Sequence, residues 1–316
     1  MEKEEQIILS VVVCTYNRSA LLKESLASIF CQKTSFPMEV IVGDDHSNDN
    51  TITMLEEMQE SNPSLHINIT PENLGPGGNW ASAMKLVRGK YVAFLDDDDL
   101  WSDDNRMQTL VDYLDANPSV DVVYTDGFTF SERGKEEPFL WPKDDFPNLK
   151  KMWRGEQPCI SLDMMVVRSS VINKSVCYDD YIRLKLPTQD WNTNLLLLSH
   201  NARFSFVNHP SVAVRLNRGS LSRTADYDKI IQKAKLEAVM NSYIDQQITG
   251  DPTLSYDIDE QRLYRSLLNA AYQNGDWHRA REYSKKSGEH TLRVKCCRFW
   301  VTFALFRLAK QCRILG

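Results

Sequence analysis

Short β-branched apolar runs alternate with stretches whose apolar residues recur every three or four positions through the first half of the chain. That alternation predicts a mostly parallel sheet flanked by helices. Ile7 to Cys14 reads as the first strand and Ala20 to Phe30 as a helix, with Leu22, Ser25, Leu26 and Ile29 on one face. Glu39 to Gly43 reads as a second strand that runs into Asp44-Asp45-His46-Ser47-Asn48-Asp49, and Asn50 to Glu60 as a second helix. His66 to Thr70, Tyr91 to Leu95 and Val120 to Tyr124 continue the strands, with helices over Asn79 to Val87 and Asn105 to Leu114. Each strand delivers polar residues at its C-terminal end, the edge at which open α/β sheets bind ligands.

Residues 131–160 are rich in Pro, Lys, Glu and Trp and have little periodicity, which predicts a long binding loop or lid. Strand character resumes over Ser161 to Arg168, and Leu186-Pro187-Thr188-Gln189-Asp190-Trp191 opens an apolar helix that runs through Leu198. From Asp226 the pattern is helical. Leu263 to Lys286 has the look of two short antiparallel helices, akin to one tetratricopeptide unit. A catalytic domain over residues 1–225 and a helical region over 226–316 follow from this division.

Composition fits a globular protein: 316 residues, 42% hydrophobic and 25% charged. Seven cysteines without a CxxC pair suggest neither a disulfide framework nor a zinc site, and a reducing cytoplasm is the simplest location. The charged start Met1-Glu2-Lys3-Glu4-Glu5 is unlike a signal peptide, and no run approaches the ~18 apolar residues of a membrane span. The net charge of −6 hides an asymmetry, because residues 293–316 carry six cations and no acid. An acidic body argues against nucleic acid as a partner.

Four consecutive aspartates, Asp96 to Asp99, close the apolar run Tyr91-Val92-Ala93-Phe94-Leu95. Charges ~4 Å apart repel by about 4 kcal/mol at an effective dielectric of 20, so such a cluster shifts its proton affinities or recruits a cation. With an extended backbone, Asp96 and Asp98 point to one side as an all-oxygen clamp suited to Mg²⁺ or Mn²⁺. The plain alternative is an acidic surface loop or the cap of the helix that follows. The glycines of Pro71-Glu72-Asn73-Leu74-Gly75-Pro76-Gly77-Gly78 have the composition of a phosphate cradle but match neither common phosphate-loop pattern.

Taken together, Val11-Val12-Val13-Cys14-Thr15-Tyr16-Asn17-Arg18, Val42-Gly43-Asp44-Asp45-His46-Ser47, Asn73-Leu74-Gly75 with Asn79, Phe94-Leu95-Asp96-Asp97-Asp98-Asp99 and Gln189-Asp190-Trp191 resemble the family 2 glycosyltransferases of GT-A fold. The resemblance covers residues 7–225. It implies a Rossmann-like α/β sandwich with a C-terminal helical extension, and transfer of a sugar from a nucleotide-diphosphate donor to an acceptor hydroxyl, with inversion. It implies nucleotide and donor contacts from Thr15, Tyr16, Asn17, Asp45, Asn73, Asn79, Asp96, Asp97 and Arg215. Tyr16 would pack on the base, and Asp45 would accept from a uracil-type N–H. Asp98, with Asp96, would hold Mn²⁺ or Mg²⁺ against the diphosphate. Asp190 falls at the family's catalytic base, a role generally worth about 10² to 10⁴ in rate.

Three positions depart from the family pattern: Gln189 replaces an acid, Asn217 a histidine and Trp80 an arginine, with Arg215 and Arg218 offering charge for phosphates. From Leu292, apolar residues interleaved with six cations read as a basic amphipathic helix for an anionic membrane. This fits a glycan or lipid-linked acceptor at the inner face of a bacterial membrane, in surface-polysaccharide assembly. The competing reading docks the tail on the body or pairs two copies as a homodimer. A nucleotidyltransferase and a non-catalytic nucleotide- or glycan-binding module are the alternative functions.

Overall fold

The computed structural model describes residues 6–131, 137–141, 145–154, 156–187, 189–216, 225–254 and 257–288. β1 (Leu9–Thr15), β2 (Met38–Asp44), β3 (Leu65–Ile69) and β4 (Tyr91–Asp96) run parallel and are linked by α1 (Ser19–Phe30), α2 (Thr51–Ser61) and α3 (Gly75–Met84). The runs Val11-Val12-Val13 and Val40-Ile41-Val42 are buried throughout, as strands covered on both faces require. β1 is central, pairing Cys14 with Gly43 of β2 and with Asp96 of β4. The polar ends of the three strands therefore lie at one level.

Beyond β4 come β5 (Leu100–Trp101), α4 (Arg106–Ala116), β6 (Val122–Tyr124), β9 (Met165–Arg168) and β10 (Phe204–Phe206). Among the described residues the main sheet has the order β10-β6-β9-β4-β1-β2-β3, with β9 antiparallel to both neighbours. A second sheet forms from β5, β7 (Gly127–Phe130), β8 (Glu137–Phe139) and β11 (Val212–Arg215), in the order β5-β11-β7-β8. The architecture is the α/β, mostly parallel one that the periodicity predicts.

Several local expectations change. Residues 131–160 contain β8 and α5 (Leu149–Trp153), and the Trp141 indole donates to the Thr125 carbonyl at 2.8 Å, so part of the expected loop is built into the domain. Helix α3 starts at Gly75 rather than Asn79, because the glycine run serves packing. A Cβ on Gly77 would lie 2.1 Å from the Leu186 carbonyl oxygen, and one on Gly78 2.8 Å from the Leu74 Cβ. The expected strand over Ser161 to Arg168 begins as a 3-10 turn, Leu162–Met164, and extends only from Met165. It is followed by α6 (Ser169–Ser175), α7 (Tyr178–Leu184) and α8 (Asp190–Ser199).

The chain divides into two compact units, one within Met1–Asn217 and Val239–Leu254, the other within Arg218–Ala238 and Ser255–Gly316. Helix α9 (Tyr227–Thr249) contributes its residues up to Ala238 to the second, where α10 (Glu260–Gln273) and α11 (Trp277–Lys286) follow, and Leu267 and Ala270 pack with Ile230. Asp259 and Asp276 cap α10 and α11 by accepting from the amides three residues on. The basic tail from Leu292 and Arg218 lie outside the described residues.

Candidate active site

The aspartate run is a turn rather than an extended clamp. Strand β4 ends at Asp96, and the Asp99 amide donates back to the Asp96 carbonyl at 3.2 Å. The extension fails because Asp97 turns inward: its carboxylate accepts from Thr15 Oγ1 and from Arg18 Nη1, both at 2.8 Å. The reversal brings Asp99, rather than Asp98, back toward Asp96. Asp98 faces Arg18 Nη1 at 3.3 Å.

A third acid completes the group. Asp163, in the 3-10 turn before β9, accepts the Asp96 amide at 3.0 Å. One carboxylate oxygen each from Asp96, Asp99 and Asp163 lie within 4.8 Å of one another, and Asp98 does not belong to this set. Opposite ligands of an ion with bonds of about 2.1–2.5 Å stand about 4–5 Å apart, so the three oxygens fit a hard divalent cation. Asp163 and Asp99 are also hydrogen bonded through their carboxyl groups, which needs a proton on one of them. Burial first, then the Asp96 charge, pushes Asp99 up to about 8. Burial and then Asp99 push Asp163 well above the carboxylate range, and Asp163 foremost does the same to Asp96.

Asp190 opens α8 and its Oδ1 accepts the Leu162 amide at 3.1 Å. The side chain of Asn194, one turn along, bonds both the amide and the carbonyl of Ile160. The first turn of α8 is thereby fixed to the segment that carries Asp163, and the Asp190 charge raises both Asp163 and Asp96. Burial raises Asp190 itself to about 6, against the Leu162 hydrogen bond.

The remaining positions fall into two groups. Tyr16 is 44% exposed just past β1, and Asn17 beside it has φ +54 and bridges to the next loop through Ser47 Oγ and the Asn48 amide. The others are engaged within the fold. Thr15 is buried against Asp97, and Asn79 donates to the Gly43 carbonyl at 2.8 Å and the Thr15 carbonyl at 3.4 Å, joining the ends of β1 and β2. Asp45 accepts from the Leu74 and Gly75 amides at 2.7 and 2.9 Å, while Asn73 donates to the Asp45 carbonyl. Burial leaves Asp45 raised despite these bonds. Arg215 donates to the Asp98 carbonyl and to Glu24, and its amide donates to Asp99, so it braces the aspartate turn.

Periodicity and motif spacing overlook Asp163, Asp99, Arg18 and Arg106. Asp163 had a signal, being the single acid in an apolar stretch from Cys159 to Val167. Arg106 had little: it stands in an amphipathic helix, yet it is fully buried behind the acids and donates to Thr125 Oγ1, Ser211 Oγ and the Asp163 carbonyl. Burial lowers it to about 9 in spite of Asp163 and Asp103.

Residues 10–175, just over half of the chain, match the family model described as glycosyl transferase family 2. The chain belongs to that family. An uncharacterised protein of Mycobacterium tuberculosis is 30% identical over 171 residues, 54% of this chain and 46% of the relative, so the chain spans about half of that relative's length. Among solved structures, S. aureus TarS in complex with UDP-GlcNAc is similar at a TM-score of 0.53, with 18% identity over 90% of this chain and 77% of that one. A mannosyltransferase from Pyrobaculum calidifontis, solved with GDP-Man and Mn²⁺, has a TM-score of 0.50 and 19% identity over 98% of this chain and 89% of that one. These likenesses give the family 2 domain its GT-A fold.

Proposed function

We propose that this chain is an inverting, metal-dependent glycosyltransferase that moves a sugar from a nucleoside-diphosphate donor, a UDP-sugar, to an acceptor hydroxyl. The observation that carries the reading is the convergence of Asp96, Asp99 and Asp163 at the end of β4, with Asp190 acting on the same group, in a family 2 chain. The solved relatives named above, one with UDP-GlcNAc and one with GDP-Man and Mn²⁺, support a nucleotide-sugar donor and a divalent cation.

Asp96, Asp99 and Asp163 would hold the cation, and Asp98 joins them if it leaves Arg18. Bound Mn²⁺ or Mg²⁺ supplies positive charge to the diphosphate. The Tyr16 ring offers an open aromatic face for the base, and Asp45, Asn73 and Asn79 shape the loops around it. Asp190 takes the proton of the acceptor hydroxyl as that oxygen bonds the anomeric carbon and the bond to the diphosphate breaks. A carboxylate raised to about 6 is ionised at neutral pH yet more basic than an exposed one, which suits this proton transfer.

Residues 1–225 form the catalytic part in this reading, and the helices beyond serve acceptor or partner contacts. We assign the acceptor to a glycan or lipid-linked intermediate of a bacterial surface polysaccharide on the cytoplasmic side of the membrane, supported by the basic, apolar sequence from Leu292. No helix among the described residues is long and apolar enough to cross a membrane. Removal of residues 292–316 should move the protein from membrane to soluble fractions, and unchanged partitioning would discard that part.

The chemistry is tested by measuring nucleoside-diphosphate release and sugar transfer from UDP- and GDP-sugars, with and without Mn²⁺. The expected result is metal-dependent transfer, lost in Asp163→Asn and Asp190→Asn. Pyrophosphate release from a nucleoside triphosphate would indicate a nucleotidyltransferase instead, and donor binding without turnover would indicate a binding module.

A further inference from the structure

Helix α8 carries a buried polar block before its apolar run. Asn192, Thr193 and Asn194 are fully buried, and Leu195 to Leu197 follow. Asparagine is a weak helix former and costly to bury, so one in this place needs partners. Asn194 has them. Its Oδ1 accepts the Ile160 amide at 3.2 Å, and its Nδ2 donates to the Ile160 carbonyl at 2.9 Å and to the Asp190 carbonyl at 2.8 Å. Both amide hydrogens and the carbonyl oxygen are engaged, a set that no other side chain of this length supplies.

The partners matter because of what they carry. Asp190 accepts the Leu162 amide at 3.1 Å, so two side chains one helical turn apart grip one segment at two points, Leu162 and Ile160. The spacing matches: four residues of helix rise about 6 Å, and two of extended chain span about 6.6 Å. Ser161, between the two points, is extended at φ −59 and ψ 137. Asp163 follows in the same segment and has anchors of its own, since it accepts the Asp96 amide and its carbonyl accepts from Arg106. The bond from Asn194 to the Asp190 carbonyl then ties the same amide to the residue that bears the proposed base.

We propose that Asn194 is a positioning residue for sugar transfer: its amide sets the first turn of α8 against the Ile160–Asp163 segment, which fixes where the Asp190 carboxylate meets the acceptor hydroxyl. This rests on the reading of Asp190 as the general base. Being fully buried, Asn194 acts through Asp190 rather than on the substrate. A general base works over about 2.6–3.2 Å, and a misplacement of about 1 Å can cost on the order of 10²-fold in rate. Loss of the amide frees the turn, so the damage falls on kcat rather than on donor or metal binding.

The test is a double-mutant cycle on the full chain: wild type, Asn194→Leu, Asp190→Asn and the double variant. We would measure kcat per folded molecule and KM for nucleoside-diphosphate release from the UDP- or GDP-sugar that wild type turns over, and Mn²⁺ binding by calorimetry. Asn194→Leu should lower kcat tenfold or more, with KM and the Mn²⁺ dissociation constant within threefold of wild type. In the Asp190→Asn background the same change should lower kcat less than threefold, because the group it positions is gone. A merely structural asparagine would cost the same factor in both backgrounds. Asn194→Ser, which keeps a hydroxyl for one of the three bonds, should fall between wild type and Asn194→Leu, and it carries the cycle if Asn194→Leu does not fold. An equal loss in both backgrounds, or an unchanged kcat with Asp190 present, overturns the role of Asn194 and leaves Asp190 as the base. A wild-type rate in Asp190→Asn, or a wild type that turns over none of these donors, overturns both.

Discussion

Buried carboxylates at the two ends of the parallel sheet are treated in opposite ways. At the N-terminal edge, Glu39 accepts from Ser10 Oγ at 2.5 Å and from Arg88 through its amide, Nε and Nη2 at 3.0, 2.8 and 2.5 Å. Burial alone would raise it, yet the bonds from Ser10 and Arg88 hold it below the usual glutamate range. At the C-terminal edge, Asp99 and Asp163 are as deeply buried, but they are bonded to one another, and both are raised. The nearby guanidinium of Arg106 is spent on two hydroxyls and a carbonyl instead. One end of the sheet is an internally neutralised foundation. The other raises the proton affinity of its carboxyl groups, so a divalent cation binding there would displace protons, since carboxylates must be ionised to ligate.

The comparison can be broken most sharply at Asp190. Replacing it with Asn should lower sugar transfer by about 10² to 10⁴ while leaving Mn²⁺ binding intact; transfer at the wild-type rate would dismiss it as the base. Next is the response to metal. Mn²⁺ at 100 times its dissociation constant should stabilise wild type by about 2.7 kcal/mol in thermal unfolding, and Asp163→Asn should lose that gain while melting no lower than wild type without metal. Glu39→Gln should behave oppositely. It should cost about 2 kcal/mol in denaturant unfolding, because a buried charged hydrogen-bond network is broken, with transfer per folded molecule unchanged.

The smallest effect is a pH dependence. A carboxyl raised in the folded state stabilises it fully below its unfolded value near 4, and that contribution is lost as pH climbs through the folded value, about 8 for Asp99. Metal-free protein should therefore lose on the order of 1 kcal/mol per pH unit between pH 5 and 8. Excess Mn²⁺ should flatten or reverse that slope. A metal-free slope that is zero across the window would mean the acids are not sharing protons.

Much of the first half was legible along the chain. β1, α1, β2, α2 and β4 lie within two residues of the bounds their periodicity predicts, because buried parallel strands are continuous apolar runs and the covering helices are amphipathic. Strands β7, β10 and β11 were not seen. They are three or four residues long, too short to carry a usable periodicity, and β10 and β11 pair with strands far away in sequence. The family was likewise readable from ordered motifs at strand ends. The assignment of atoms within those motifs was not.

Asp96, Asp98 and Asp190 could be singled out from residue type and position, since a carboxylate run after a strand and an acid opening a helix are local features. Which acids meet is decided by folding. Asp97 bonds Thr15 and Arg18, the run turns, and Asp99 swings back toward an acid 64 positions further on, Asp163. Likewise the order of residues placed Asp45 at a strand end, while only the packing of the Leu74-Gly75 turn buried its carboxylate beneath two backbone amides. Sequence alone determined the chemistry available at the sheet edge, because side-chain type is local. The tertiary structure decided which groups are satisfied and which are left to act, because hydrogen-bond partners and burial are set by residues distant in the chain.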